Sequence, residues 1–204
     1  GMAATSWIRN FVDFDYILSI TPGGKCPAGE PEVPNPCGEC VPPCPPVAAE
    51  GGAGVQVVVC DTGLLGDANS HPWLRGVTGD LEPLDAIDPP TGLPRIGKYV
   101  GHGTMIAGVV RCTAPDAHVQ VAGHLPTALG GSNTVSTIAV ALTDILASGV
   151  RVISLSAGSQ LPGDVPGLVL SQFVANNAAV LADTVIVAAA GNDAISVPFW
   201  PPAF

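Results

Sequence analysis

Val55-Gln56-Val57-Val58-Val59-Cys60, followed at once by Asp61-Thr62-Gly63, is the stretch whose reading decides the fold. Its first half is a short β-branched run with no polar face, the texture of a strand buried on both sides in a parallel sheet. A carboxylate directly behind such a strand stands at the sheet's carboxyl edge, where the backbone departs and neighbouring loops form a crevice. Working outward, the same texture recurs at Val119–Gly123, Val150–Leu155 and Val185–Ala189. Helical patterns lie between these runs, at His102–Arg111, at Thr134–Ser148 with Asn133 as the expected N-cap, and over about Val165–Ala182. Right-handed crossovers then place helices on both faces of one mainly parallel sheet, an α/β three-layer fold.

Two further segments fall on the same edge. Gly101-His102-Gly103-Thr104 opens the first helix, and the helix dipole at that position is expected to disfavour the imidazolium, which suits a neutral general base. A capping His is the plain alternative. Ala188-Ala189-Ala190-Gly191-Asn192-Asp193 follows what reads as a fully buried strand, and an Asn there can donate an N–H to an oxyanion. A Gly-Asn turn closing a strand explains the same residues. Asp-Thr-Gly likewise serves as an ordinary turn and occurs in aspartic proteases.

The composition narrows the function classes. With 47% hydrophobic residues, the 204-residue chain has material for one core. Seventeen acidic against seven basic residues leave a net charge of −10, which repels phosphate backbones and anionic lipid, so nucleic acid is excluded as a partner. The apolar runs fall far short of the roughly 20 residues of a spanning helix. The opening Gly1-Met2-Ala3-Ala4-Thr5 lacks the basic region and apolar core of a secretory signal. Residues 1–20 read as an N-terminal element with a strand at Tyr16–Ile20, residues 21–54 as a Pro/Gly/Cys-rich linker or stapled arm, and 55–204 as the main domain. Cys26, Cys37, Cys40 and Cys44 suit disulfides in a secreted loop better than zinc, because their spacing is not that of a paired knuckle. Cys60 and Cys112 are expected to be buried thiols.

Taken together and in order, these blocks resemble the subtilisin-like serine peptidases, the subtilases. Val57–Gly63 is similar to that family's Asp block, Gly101–Gly108 to its His block, Val152–Gly158 to its substrate-lining strand and Val187–Asp193 to its oxyanion block. Ala114-Pro115-Asp116-Ala117 and Pro198–Ala203 resemble two of its connecting turns. The resemblance implies that Asp61 orients His102, that His102 is the general base and that Asn192 supports the oxyanion. It also implies that Gly130, Gly131 and Ser132 pair with an extended peptide by strand addition, and that Ser156, Ala157, Gly158, Ala189, Ala190 and Gly191 line an apolar or broad pocket. No cofactor is required and no metal ligands are assigned. Calcium as a structural ion is weighed against a solvated acidic loop at Asp67, Asp80, Glu82, Asp85 and Asp88, and the solvated loop is preferred.

The family's Gly-Thr-Ser-x-Ala nucleophile block is absent from these 204 residues. The expectation is therefore a fragment, inactive alone and exposing apolar surface, of a secreted or cell-surface endopeptidase that acts on peptides or proteins and follows an inhibitory propeptide, with Tyr16–Ile20 as a remnant of it. The alternatives are a pseudoprotease that binds peptides without cleaving them and a zinc module built on the four clustered cysteines. Met105, where many relatives carry a second His, is expected to concern packing. His71, His118 and His124 read as surface or loop residues.

Overall fold

The computed structural model describes residues 13–20, 50–83, 99–127, 131–192 and 196–204. The four clustered cysteines, Gly130, Asp85 and Asp88 lie outside them. The main sheet has five parallel strands in the order β3-β4-β2-β6-β8: β2 (Gln56–Cys60), β3 (Thr78–Gly79), β4 (His118–Ala122), β6 (Val152–Leu155) and β8 (Val185–Ala188). The strand sought at Val55–Cys60 is thus central, and the short β3 had no counterpart in the sequence reading.

Alternation along β2 explains the layers. Val57 and Val59 point to one face and pack with Val119, Val121 and Ala107 of α1 (His102–Thr113). Val58 and Cys60 point to the other, with Ile153, Leu155, Ile138 and Leu142 of α2 (Val135–Ala147) and Leu170 and Phe173 of α3 (Leu168–Leu181). Each face buries its own cluster, so helices cover both sides of the sheet.

Three expectations need correction. Thr134, not Asn133, caps α2, its Oγ1 accepting from the Thr137 N–H at 3.3 Å. Asn133 instead belongs to β5 (Ser132–Thr134), where its amide donates to the His124 carbonyl at 3.0 Å. The strand before Asn192 is not fully buried: β8 is an edge among the described strands, and Val185 and Val187 are each 58% exposed. Met105 is also 58% exposed, so it packs against little within the described residues.

A second, antiparallel sheet sits beside the carboxyl edge of the first. In it β1 (Ile17–Ile20) runs between β5 and β7 (Ala157–Gly158), with Leu18 opposite Asn133, Ser19 opposite both Ser132 and Gly158, and Ile20 opposite Ala157. Two carboxylates anchor the approach to β1. Asp13 accepts from the Leu168 N–H at 2.7 Å and Asp15 from the Ser136 N–H at 2.9 Å, each meeting the positive N-terminal end of a helix. Burial works against ionisation of Asp13, yet the Leu168 amide and Tyr16 hydroxyl hold its carboxyl below the usual range. The Ser136 hydroxyl and amide do the same for Asp15.

Candidate active site

Asp61 stands at the end of the central strand, wholly buried, its N–H donating to the Ala122 carbonyl and its carbonyl accepting from Leu125 N–H. Nδ1 of His102 lies 2.9 Å from both carboxylate oxygens. The Thr62 N–H, at 2.8 Å from Oδ1, helps fix the carboxylate from its own side. The His102 side chain is 26% exposed, so with Nδ1 committed to Asp61 the remaining ring edge is the accessible one. Tyr99 meets the ring edge-on at 6.3 Å between centroids.

The sequence brings these loops together through a close backbone approach. At Gly103 an added Cβ would stand 2.7 Å from the Gly63 carbonyl oxygen and 3.1 Å from Asp61 Cβ, so only glycine lets the start of α1 press against the end of β2. Thr104 then accepts from the Leu65 N–H at 2.9 Å, tying the helix to the loop after Asp61.

The expected dipole effect on His102 is overturned. Burial of the ring works to lower its pKa, but the hydrogen bond and charge of Asp61, with the charge of Glu82, outweigh it and raise the imidazole above its ordinary value. A paired carboxylate in direct contact acts more strongly than partial charges at a helix end.

Asn192 follows the same edge of the sheet at the end of β8 and is exposed. The two segments read as peptide-pairing and pocket-lining are brought together, with β1 of the same chain between them. Gly131 O accepts from the Ile20 N–H at 2.8 Å, Ser132 pairs with Ser19, and Ala157 and Gly158 pair from the other side. Ser156 is half-buried, just ahead of β7. Ala189, Ala190 and Gly191 continue from β8, and the Phe199 ring lies against both Gly191 and Gly158. Leu18 is fully buried and Ile20 is 4% exposed.

The acidic loop was misread at one position. Asp67 and Asp80 are exposed, but Glu82 is only 2% exposed and directs its carboxylate to the Gly101 N–H at 2.8 Å. Nothing in the local sequence marks it, since its burial comes from the pairing of Leu81 with Leu64. Among the described residues no group of three or more His, Cys, Asp or Glu is placed to hold a metal. Cys60 is a free, buried thiol, so no bridge joins it to Cys112, and burial beside Asp61 pushes its pKa up to about 12.

The sequence pattern that describes the Subtilase family matches residues 52–201. The chain belongs to the subtilase family. It is 33% identical over 161 residues to thermitase of Thermoactinomyces vulgaris, covering 74% of this chain and 52% of that protein. It is also 33% identical over 159 residues to subtilisin Savinase of Lederbergia lenta, with coverages of 74% and 52%. The chain thus spans about half the length of these curated relatives. Among solved structures it is similar to a lanthipeptide protease, with a TM-score of 0.51, 26% identity, and 70% of this chain and 41% of that one covered. The protease domain of PatA shares the fold, with a TM-score of 0.56 at 19% identity and coverages of 76% and 56%. This subtilase has no helix among its described residues long and apolar enough to cross a membrane.

Proposed function

We propose that this subtilase chain forms the Asp–His half of a serine endopeptidase site, with a nucleophilic Ser supplied by polypeptide outside these 204 residues. The observation that carries the reading is the wholly buried Asp61 carboxylate held 2.9 Å from Nδ1 of a partly open His102. In that role Asp61 fixes the tautomer that leaves the other ring nitrogen free to accept the hydroxyl proton, and it supports the imidazolium that results. Asn192 donates to the tetrahedral oxyanion. The chemistry uses proton transfer and a fixed amide, so it requires no cofactor; any calcium would serve structure alone.

Exposed apolar side chains support a further docked segment. Met105 and Val109 stand on one side of α1, and Val185 and Val187 on the edge strand, all four 58% exposed. Such patches, and a strand edge left open among the described residues, are what a continuing sheet and helix would cover. The Leu18 and Ile20 positions support an aliphatic preference on the acyl side of the cleft, since a peptide replacing β1 would put alternate side chains into the same buried sites. We read β1 as an inhibitory, propeptide-like segment and the protein as secreted or cell-surface.

The test is a fluorophosphonate label applied to the product of the full reading frame. Expected is one labelled Ser, with labelling lost in His102→Ala and strongly reduced in Asp61→Asn. The isolated chain is expected to show no amidase turnover. The filled cleft also favours a second reading, a peptide-binding protein without a nucleophile. Absence of any labelled Ser in the full product, with retained peptide binding, would select it.

A further inference from the structure

Glu82 is the one buried carboxylate among the described residues that the reaction as described leaves unused. It is 2% exposed, one oxygen accepts from the Gly101 N–H at 2.8 Å, and Oε1 is buried without a hydrogen-bond partner among the described residues. An orphaned, buried carboxylate oxygen is expensive to keep, and its persistence asks for a role. The contacts around it converge on His102 from both sides. Gly101, directly before His102, is held by Glu82 itself. Gly103, directly after it, donates to the Thr62 hydroxyl at 3.2 Å, and that hydroxyl in turn stabilises the ionised form of Glu82.

The backbone keeps Glu82 where it is. Its N–H donates to the Leu64 carbonyl at 2.9 Å, and Leu64 N–H donates to the Asp80 carbonyl at 2.8 Å, so the segment after β3 is zipped to the loop that follows Asp61. Gly63 completes the contact, since an added Cβ there would lie 3.0 Å from Glu82 Cβ.

We propose that Glu82 is a positioning residue for His102: a second carboxylate that pins the amide directly before the imidazole and, by its charge, supports the imidazolium alongside Asp61. The inference rests on the reading of His102 as general base. In that step the ring takes the hydroxyl proton and becomes a cation, and an ionised Glu82 adds its negative charge to that of Asp61. The groups around the ring are Asp61 from the end of β2, bonded to it, the Tyr99 ring from the turn before α1, and Glu82 from the segment after β3, bonded to the amide of the preceding Gly101. Asp80, the neighbouring acid, is turned away to the Gly123 N–H at 3.0 Å. Burial raises the Glu82 carboxyl, opposed by the Gly101 amide and the Thr62 hydroxyl, and the His102 cation favours its ionised form. The two titrations are therefore coupled.

The test is an NMR titration of the His102 ring in the 204-residue chain as wild type, Glu82→Gln and Asp61→Asn. Glu82→Gln keeps the size and an acceptor for Gly101 and removes only the charge. Expected is a lower His102 midpoint in Glu82→Gln, smaller in extent than the fall in Asp61→Asn, with amide protection at Gly101 and Gly103 retained. An unchanged midpoint in Glu82→Gln, beside a fall in Asp61→Asn, would overturn this proposal and leave the general-base reading intact. No fall in Asp61→Asn would overturn the general-base reading itself. Should Glu82→Gln fail to fold, carbon-13 labelling of Glu in the wild type decides. The His102 resonances must then show an inflection at the midpoint of the Glu82 carboxyl, and its absence refutes the coupling.

Discussion

Replacing Leu18 by Ala asks whether β1 is a separable occupant of the cleft or part of the core. Leu18 is wholly buried, in one apolar cluster with Val135, Ile138, Ala157, Leu161 and Leu170. Truncating such a side chain costs about 2–5 kcal/mol, the lost transfer energy plus the cavity left behind. The strand's other ties are its ladders to β5 and β7, the Ile20 N–H to Gly131 O bond and the Asp13 and Asp15 anchors, all confined to this segment, so the loss falls on local opening. At about 1.4 kcal/mol per factor of ten, exchange of the β1 amides should rise roughly 30-fold to a few thousand-fold, up to the limit set by the segment's own docking stability. The assay is hydrogen exchange read by mass spectrometry on peptides covering Ile17–Ile20, Gln56–Cys60 and Val152–Leu155. Protection should fall in the first and hold in the other two. Equal loss in β2 and β6 would show that β1 unfolds only with the whole domain, and the reading of β1 as a displaceable cleft ligand would fail.

Gly103→Ala forces a Cβ to within 2.7 Å of the Gly63 carbonyl oxygen; overpacking of this kind costs about 1–3 kcal/mol, to be read as a lower denaturation midpoint together with a weakened Asp61–His102 contact. For His102 the folded pKa is raised above 6.5, so its pairing with Asp61 stabilises the fold fully below 6.5 and loses that contribution as pH rises through the folded value. Urea midpoints should therefore differ most between wild type and Asp61→Asn on the acid side of that window, and converge above it. Glu82 has a folded pKa raised above 4.5, so the fold loses stability as pH rises from 4.5 through that folded value, and the full cost stands above it. Glu82→Gln should accordingly be more stable than wild type at neutral pH, with the gain fading toward 4.5; a variant that is less stable at neutral pH would contradict the burial cost. In the labelled full-length product, the acid limb of reactivity should follow His102 and shift downward in Glu82→Gln.

The α/β layering, four of the five parallel strands and the Asp61 and His102 loops were legible in the sequence. Buried strands announce themselves by local β-branched runs such as Val57–Cys60, and a parallel sheet obliges the residues behind them to share one edge. Only the tertiary structure decided the rest, because each remaining feature depends on which distant segments become neighbours. Tyr16–Ile20 reads as a strand and a propeptide remnant, but nothing in it names β5 and β7 as its two neighbours. Val185 and Val187 read as core until β8 proves to be an edge among the described strands. Glu82 reads as one acid in a polar loop until the Leu64–Leu81 pairing buries it beside His102, and the direction of the His102 shift follows from those two carboxylates, not from its place at a helix start. Hydrophobic period is a property of a few consecutive residues; burial and electrostatic environment are properties of the packed whole.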